Sequence, residues 1–107
     1  MENSQEFVIG ATVKVRGIER KLTLLGTTGS NKDQLFVAKA LCSEKDKFSR
    51  HRAKEICRYR LGNLKKQKFY IFNGDFSTLA SVYKAMHSLK EDIVKHPEKH
   101  FKPYGKH

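Results

Sequence analysis

The chain has 107 residues, 38% of them hydrophobic, enough for one compact domain that buries a core without a metal or disulfide staple and too few for two. Its 22 Lys and Arg against 11 Asp and Glu give a formal net charge of +11 and a pI near 9.8, a field that attracts polyanions. No run approaches the ~18 apolar residues of a spanning helix, and Met1 to Phe7 lacks the basic start and apolar stretch of a secretory signal. The chain is therefore expected in the cytoplasm, or in the nucleoplasm of a host that has one, without a membrane partner.

In chain order, the apolar residues Phe7, Ile9, Ala11, Val13 and Val15 fall at every second position. Side chains repeat every second residue along a strand, so these form one row, and the opposite face with Thr12 and Lys14 meets water. Gly17 breaks the run, and Arg20 to Leu25 resumes a β-like pattern, which predicts a hairpin. Gly26 to Asp33 is a cluster of Gly, Thr, Ser and Asn without periodicity, expected as an exposed loop. Leu35 to Leu41 is more continuously apolar, as a central strand is.

Ser43 and Asp46 have the spacing of a helix-capping pair and predict a helix after them. In that helix Ala53, Ile56, Cys57 and Leu61 gather on one side, while Lys47, Arg50, Lys54 and Arg58 gather on the other; Gly62 and Asn63 end it. Lys65 to Phe72 starts basic and finishes with Phe69, Tyr70, Ile71 and Phe72, the composition of a fourth strand. Asn73, Gly74 and Asp75 turn the chain and offer a cap to a second helix, from about Phe76 to Lys95. Its residues Phe76, Leu79, Ala80, Tyr83, Met86, Leu89 and Ile93 recur at helical spacing, and Pro97 stops it. The order is βββαβα: a single compact α+β domain over 1–97, with a mostly antiparallel four-stranded sheet and two helices on one face. Residues 98–107, polar and basic, are expected as a mobile tail.

The positive charge is concentrated. Between Glu44 and Tyr70 stand ten Lys or Arg and three acids, an excess of seven in 27 residues. On the first helix Lys47, Arg50, Lys54 and Arg58 advance by three or four and line one solvent-facing stripe able to track a phosphate backbone. His51 lies on the same side, and Lys65, Lys66 and Lys68 follow. These eight residues are the expected nucleic-acid-binding set of a non-enzymatic DNA- or RNA-binding protein. The same stripe suits a solvated helix face, with Asp46 pairing to Arg50 and Glu55 to Arg58, and it suits an acidic protein partner. Phe69, Tyr70 and Phe72 offer stacking platforms for bases beside the patch, against ordinary strand packing.

Signals for chemistry are sparse. Cys42 and Cys57 are not at zinc-finger spacing and read as reduced thiols. His96 and His100 are spaced to share a metal on a helix, but Pro97 stands between them; no metal or cofactor is expected. Glu19-Arg20-Lys21 has the acid-x-Lys form of some metal-dependent nucleases, which needs a second acid before it, and Glu2 and Glu6 are the acids available. A small nuclease is thus a further alternative. Gly26 to Lys32 lacks the spacing of a phosphate-cradling glycine loop.

The run Ala40-Leu41-Cys42-Ser43-Glu44-Lys45-Asp46-Lys47-Phe48-Ser49-Arg50, ending at Arg60-Leu61, resembles a strand-to-helix pattern of small accessory proteins of bacteriophages and prophages. The resemblance covers Leu35 to Leu61, about a quarter of the chain. Where those proteins often carry a Gly-Arg pair in the helix, this chain has Arg52-Ala53-Lys54. The resemblance implies a host-takeover, anti-defence or nucleic-acid-handling role in the host cytoplasm, with an inhibitor docked on an acidic host protein as the rival. It transfers no site residue.

Overall fold

The computed structural model of the chain describes residues 5–42, 49–63, 65 and 68–101. Its elements are β1 (Glu6–Val15), β2 (Ile18–Thr28), β3 (Gln34–Leu41), α1 (Arg50–Gly62), β4 (Tyr70–Asn73), α2 (Leu79–Lys95) and a short α3 (Pro97–His100). β1 and β2 pair from Glu6↔Thr27 to Val15↔Ile18 around the two-residue turn Arg16-Gly17. Both turn residues have positive φ, 56° and 81°, the left-handed pair of a turn whose twist matches the strands it joins. β3 and β4 add in sequence, each antiparallel to its neighbour, so the sheet order is β1-β2-β3-β4. The α+β class, the four-stranded antiparallel sheet and the βββαβα order are those the sequence predicts.

The placement of the helices differs from expectation. Successive strand residues point to opposite faces, and here both faces are apolar. One carries Phe7, Val13, Leu22, Leu24, Leu35 and Val37 under Val82, Met86, Leu89 and Ile93 of α2. The other carries Leu25, Ala38 and Ala40 under Ala53 and Cys57 of α1. The two helices therefore cover opposite faces, not one. The cause lies in the central strands: the adjacent residues Leu24 and Leu25, and Val37 and Ala38, are all at most 1% exposed, so each side needs a cover.

α1 covers its side with small residues. Ala53 and Cys57 meet Ala38 and Ala40, which brings the helix close to the sheet; Cys57 Sγ lies 3.6 Å from the Ala38 carbonyl and 3.8 Å from that of Thr23. So narrow a seam leaves most of the helix circumference outside the core. The helix starts at Arg50 because Ser49, with extended backbone, accepts a hydrogen bond from the Arg52 amide at 3.2 Å. The Ser43–Asp46 pair lies outside the described residues.

Three further boundaries differ for identifiable reasons. β2 runs on through Gly26 to Thr28, because Gly26 is not a loop residue but the point of closest approach of α2: a Cβ there would lie 3.0 Å from Met86 Sδ. The cap of α2 is Thr78, whose Oγ1 accepts from the Ser81 amide, while the Asp75 carboxylate turns to Ser77. Pro97 both follows α2 and opens α3, at a position where its missing N–H costs nothing. Phe101 then packs on the α2-side core, and Tyr70, His100 and Asp92 join in a chain of 2.8 and 2.7 Å. Residues 98–101 of the expected tail are thus folded against the sheet; 102–107 lie outside the described residues. None of the described helices is long and apolar enough to cross a membrane.

Candidate nucleic-acid interface

The two helices carry different charge. α1, Arg50-His51-Arg52-Ala53-Lys54-Glu55-Ile56-Cys57-Arg58-Tyr59-Arg60-Leu61-Gly62, has five Arg or Lys and one carboxylate. α2 has three Lys against Glu91 and Asp92. The α1 side of the sheet adds Lys14 and Lys21 from the outer part of the β1–β2 hairpin; Lys21 reaches Thr12 Oγ1 at 3.5 Å. Glu19, cross-strand from Lys14, lies on that side too, so the contrast rests on the helices themselves: five cations against one carboxylate in α1, three against two in α2.

The residues of the predicted stripe have separate fates. Arg50 leans over β1 at Gly10, where a Cβ would lie 3.8 Å from its Nη2. Lys54 follows on the same side, near enough to Glu6 to favour the Glu6 anion. Arg58 is engaged: its Nε and Nη2 donate to the two oxygens of Glu6, each at 2.8 Å. That hydrogen bond and charge hold the Glu6 carboxyl below its ordinary range and raise the Arg58 guanidinium. His51 pairs with Glu55 at 3.2 Å, so Glu55 turns to His51 rather than closing on Arg58. Lys65 and Lys68 are exposed beyond the helix; Lys47 and Lys66, and the Asp46 partner expected for Arg50, lie outside the described residues. Among the described residues, Arg50, Arg52 and Lys54 form no ion pair.

The other flank of α1 carries a set that reading one stripe overlooks. Arg52, Ile56, Tyr59 and Arg60 recur at i, i+4, i+7 and i+8, one helix face. With Glu55, Asn63 and Lys68 they line an open groove of about 340 Å³. Arg60 is anchored by donating to the Lys39 carbonyl, whereas the Tyr59 side lies open, the residue being 72% exposed. The helical spacing of 52, 56, 59 and 60 was visible in the sequence. The approach of Lys68 was not, because it depends on how the chain returns to β4.

The aromatic run that offered base stacking is otherwise occupied. Phe69 meets Phe36 edge-on at 6.1 Å, Phe72 packs on the α2-side core, and Tyr70 is bonded to His100 beneath the Lys39 ammonium, 4.9 Å from its ring centre. Burial, with Arg60 and Lys68 nearby, pushes Lys39 down from the usual lysine range. Glu19, opposite Lys14, and Glu6, opposite Thr27, stand at the two ends of the hairpin, eight positions apart along β2, or roughly 26 Å. These two do not converge on one cation, and Glu2, the other acid of that pattern, lies outside the described residues. Both ring nitrogens of His100 are taken by Tyr70 and Asp92, so His96 and His100 do not form a shared metal site.

Comparison of the chain with protein-family models, with curated proteins and with solved structures returns no match.

Proposed function

We propose that this chain is a non-enzymatic nucleic-acid-binding protein that holds phosphates with α1 and its flanks. The observation that carries the reading is the charge of α1: five Arg or Lys against Glu55, with only Arg58 matched to a carboxylate among the described residues. A helix face kept polar for solubility is better served by opposite charges at i,i+4. Here Arg50, His51 and Arg52 occupy the first turn, where the helix dipole opposes cations, an arrangement that favours an anionic partner over helix stability.

Arg50 and Lys54, with Lys65 and Lys68, are the phosphate ligands in this reading, and Lys47 and Lys66 belong to the same set by sequence. His51 adds charge when protonated. Arg58 serves by fixing α1 to β1 through Glu6. The place of action is the cytoplasm, that of the host if the resemblance to phage and prophage accessory proteins carries through.

Purification from native cells, with and without nuclease treatment, tests the proposal. Co-purified DNA or RNA supports it. A protein partner that survives nuclease treatment, with no nucleic acid recovered in its absence, contradicts it and favours docking on an acidic protein surface.

A further inference from the structure

We infer that the groove lined by Arg52, Ile56, Tyr59 and Lys68 takes one unstacked nucleobase of a single strand, DNA or RNA, and so gives the protein a preference for single strands over duplex. The inference rests on the nucleic-acid reading above and adds to it a base contact on a different flank of α1.

Tyr59 is the most exposed of the large hydrophobic side chains among the described residues, at 72%, and it stands in the body of a helix. A ring held there contributes nothing to either core, yet it offers a flat π-face. Ile56, packed against the α1-side core, is fixed beside it and extends the apolar surface. Arg52 lies two turns nearer the helix N-terminus, roughly 10 Å along the axis, and Lys68 enters from the segment before β4. An aromatic platform between cations is the arrangement by which single strands are held, with base on ring and phosphates on the charges. The groove volume of about 340 Å³ is at the small end of ligand sites, suited to one base and its sugar. Glu55 closes the rim next to His51, so phosphate is excluded from that side and directed to Arg52 and Lys68. Paired bases in a duplex have both faces stacked and cannot present one to Tyr59.

The test is fluorescence anisotropy at one salt concentration with four labelled ligands of equal length: oligothymidylate, oligouridylate, an abasic strand and a duplex. Wild type is expected to bind the base-bearing strands more tightly than the abasic strand and the duplex, and the stronger of the two names DNA or RNA. Tyr59→Phe keeps that preference because it keeps the ring. Tyr59→Ala loses about 5- to 150-fold on the base-bearing strands, the worth of one stacked base, and leaves the abasic strand and duplex unchanged. Arg52→Gln weakens both kinds of single strand alike. No loss in Tyr59→Ala, or the same loss on all four ligands, overturns the groove while the broader reading stands. Failure of wild type to bind any of the four overturns both.

Discussion

Arg58 donates from Nε and Nη2 to the two carboxylate oxygens of Glu6, each at 2.8 Å, and so fastens the outer side of α1 to the first residue of the edge strand β1. A cation that the sequence pattern groups with Arg50 and Lys54 thus has a different task from theirs.

The division of labour has a direct consequence. Arg50→Gln should weaken nucleic-acid binding and leave the unfolding midpoint unchanged. Glu6→Gln should lower the midpoint and, by freeing Arg58, leave binding unchanged or stronger. The fold favours the Glu6 anion, because Arg58 holds its carboxyl below the ordinary value of 4.5. The stability contributed by this residue is therefore full above that value and is lost as the pH falls through the lower folded one. Urea-unfolding midpoints of wild type and Glu6→Gln should differ at neutral pH and converge in acid.

Gly26 and Gly10 provide a contrasting pair for the packing of the two faces. At Gly26 the nearest atom to an added Cβ is Met86 Sδ at 3.0 Å, with Leu35 Cδ1 at 3.4 Å. Gly26→Val forces those side chains apart and should cost about 1–3 kcal/mol in urea unfolding. At Gly10 the nearest atoms are at 3.7 and 3.8 Å, ordinary contact, so Gly10→Ala should fold as well as wild type.

Those two glycines also explain what was readable in the sequence. The alternation from Phe7 to Val15 places its row on the α2 side, and the apolar spacing of α2 runs through Met86, Leu89 and Ile93 as observed. Gly26 reads as a breaker because the sequence does not show that a methionine sixty residues later fills the space above it. The two-sided sheet was harder to foresee, since α1 meets it with Ala53 and Cys57, residues too small to announce a core. Ser49 caps α1 through its extended backbone, which the sequence pattern did not single out, and Ser43 lies outside the described residues. For the candidate site, the excess of cations was legible, whereas their partition was not: Glu6 lies 52 residues from Arg58, and pairing at that range is a product of the fold.

Cys57 should behave as an inert thiol. It is 0% exposed, and burial pushes its pKa up to about 11, so little thiolate is present and none is accessible. In a Cys42→Ala background, a thiol-specific reagent should label Cys57 only as fast as the chain opens, with denaturant restoring immediate reaction. Rapid labelling of the native protein contradicts the packing of α1 described above.

Tyr70 should titrate late. Burial, together with the nearby Asp92 charge, pushes its phenol up to about 12 from an ordinary 10.0. The folded state thus favours the neutral phenol: its contribution is complete below the ordinary value and is lost as the pH rises through the folded one. A phenolate absorbance titration should show a late component that Tyr70→Phe removes. The same variant should loosen the segment 97–101, whose His100 is held by Tyr70 and Asp92, seen as faster amide exchange there.

The salt dependence of binding tests the account most directly. Each phosphate neutralised by a side chain adds about 0.7 to the log–log slope of affinity against salt on single strands and about 0.9 on duplex. The combined variant Arg50→Gln, Arg52→Gln, Lys54→Gln removes three cations that form no ion pair among the described residues. The account predicts a slope shallower than wild type by about 2 to 3, with the fold intact. An unchanged slope and affinity would contradict it, because the charge of α1 would then be no part of what the protein binds.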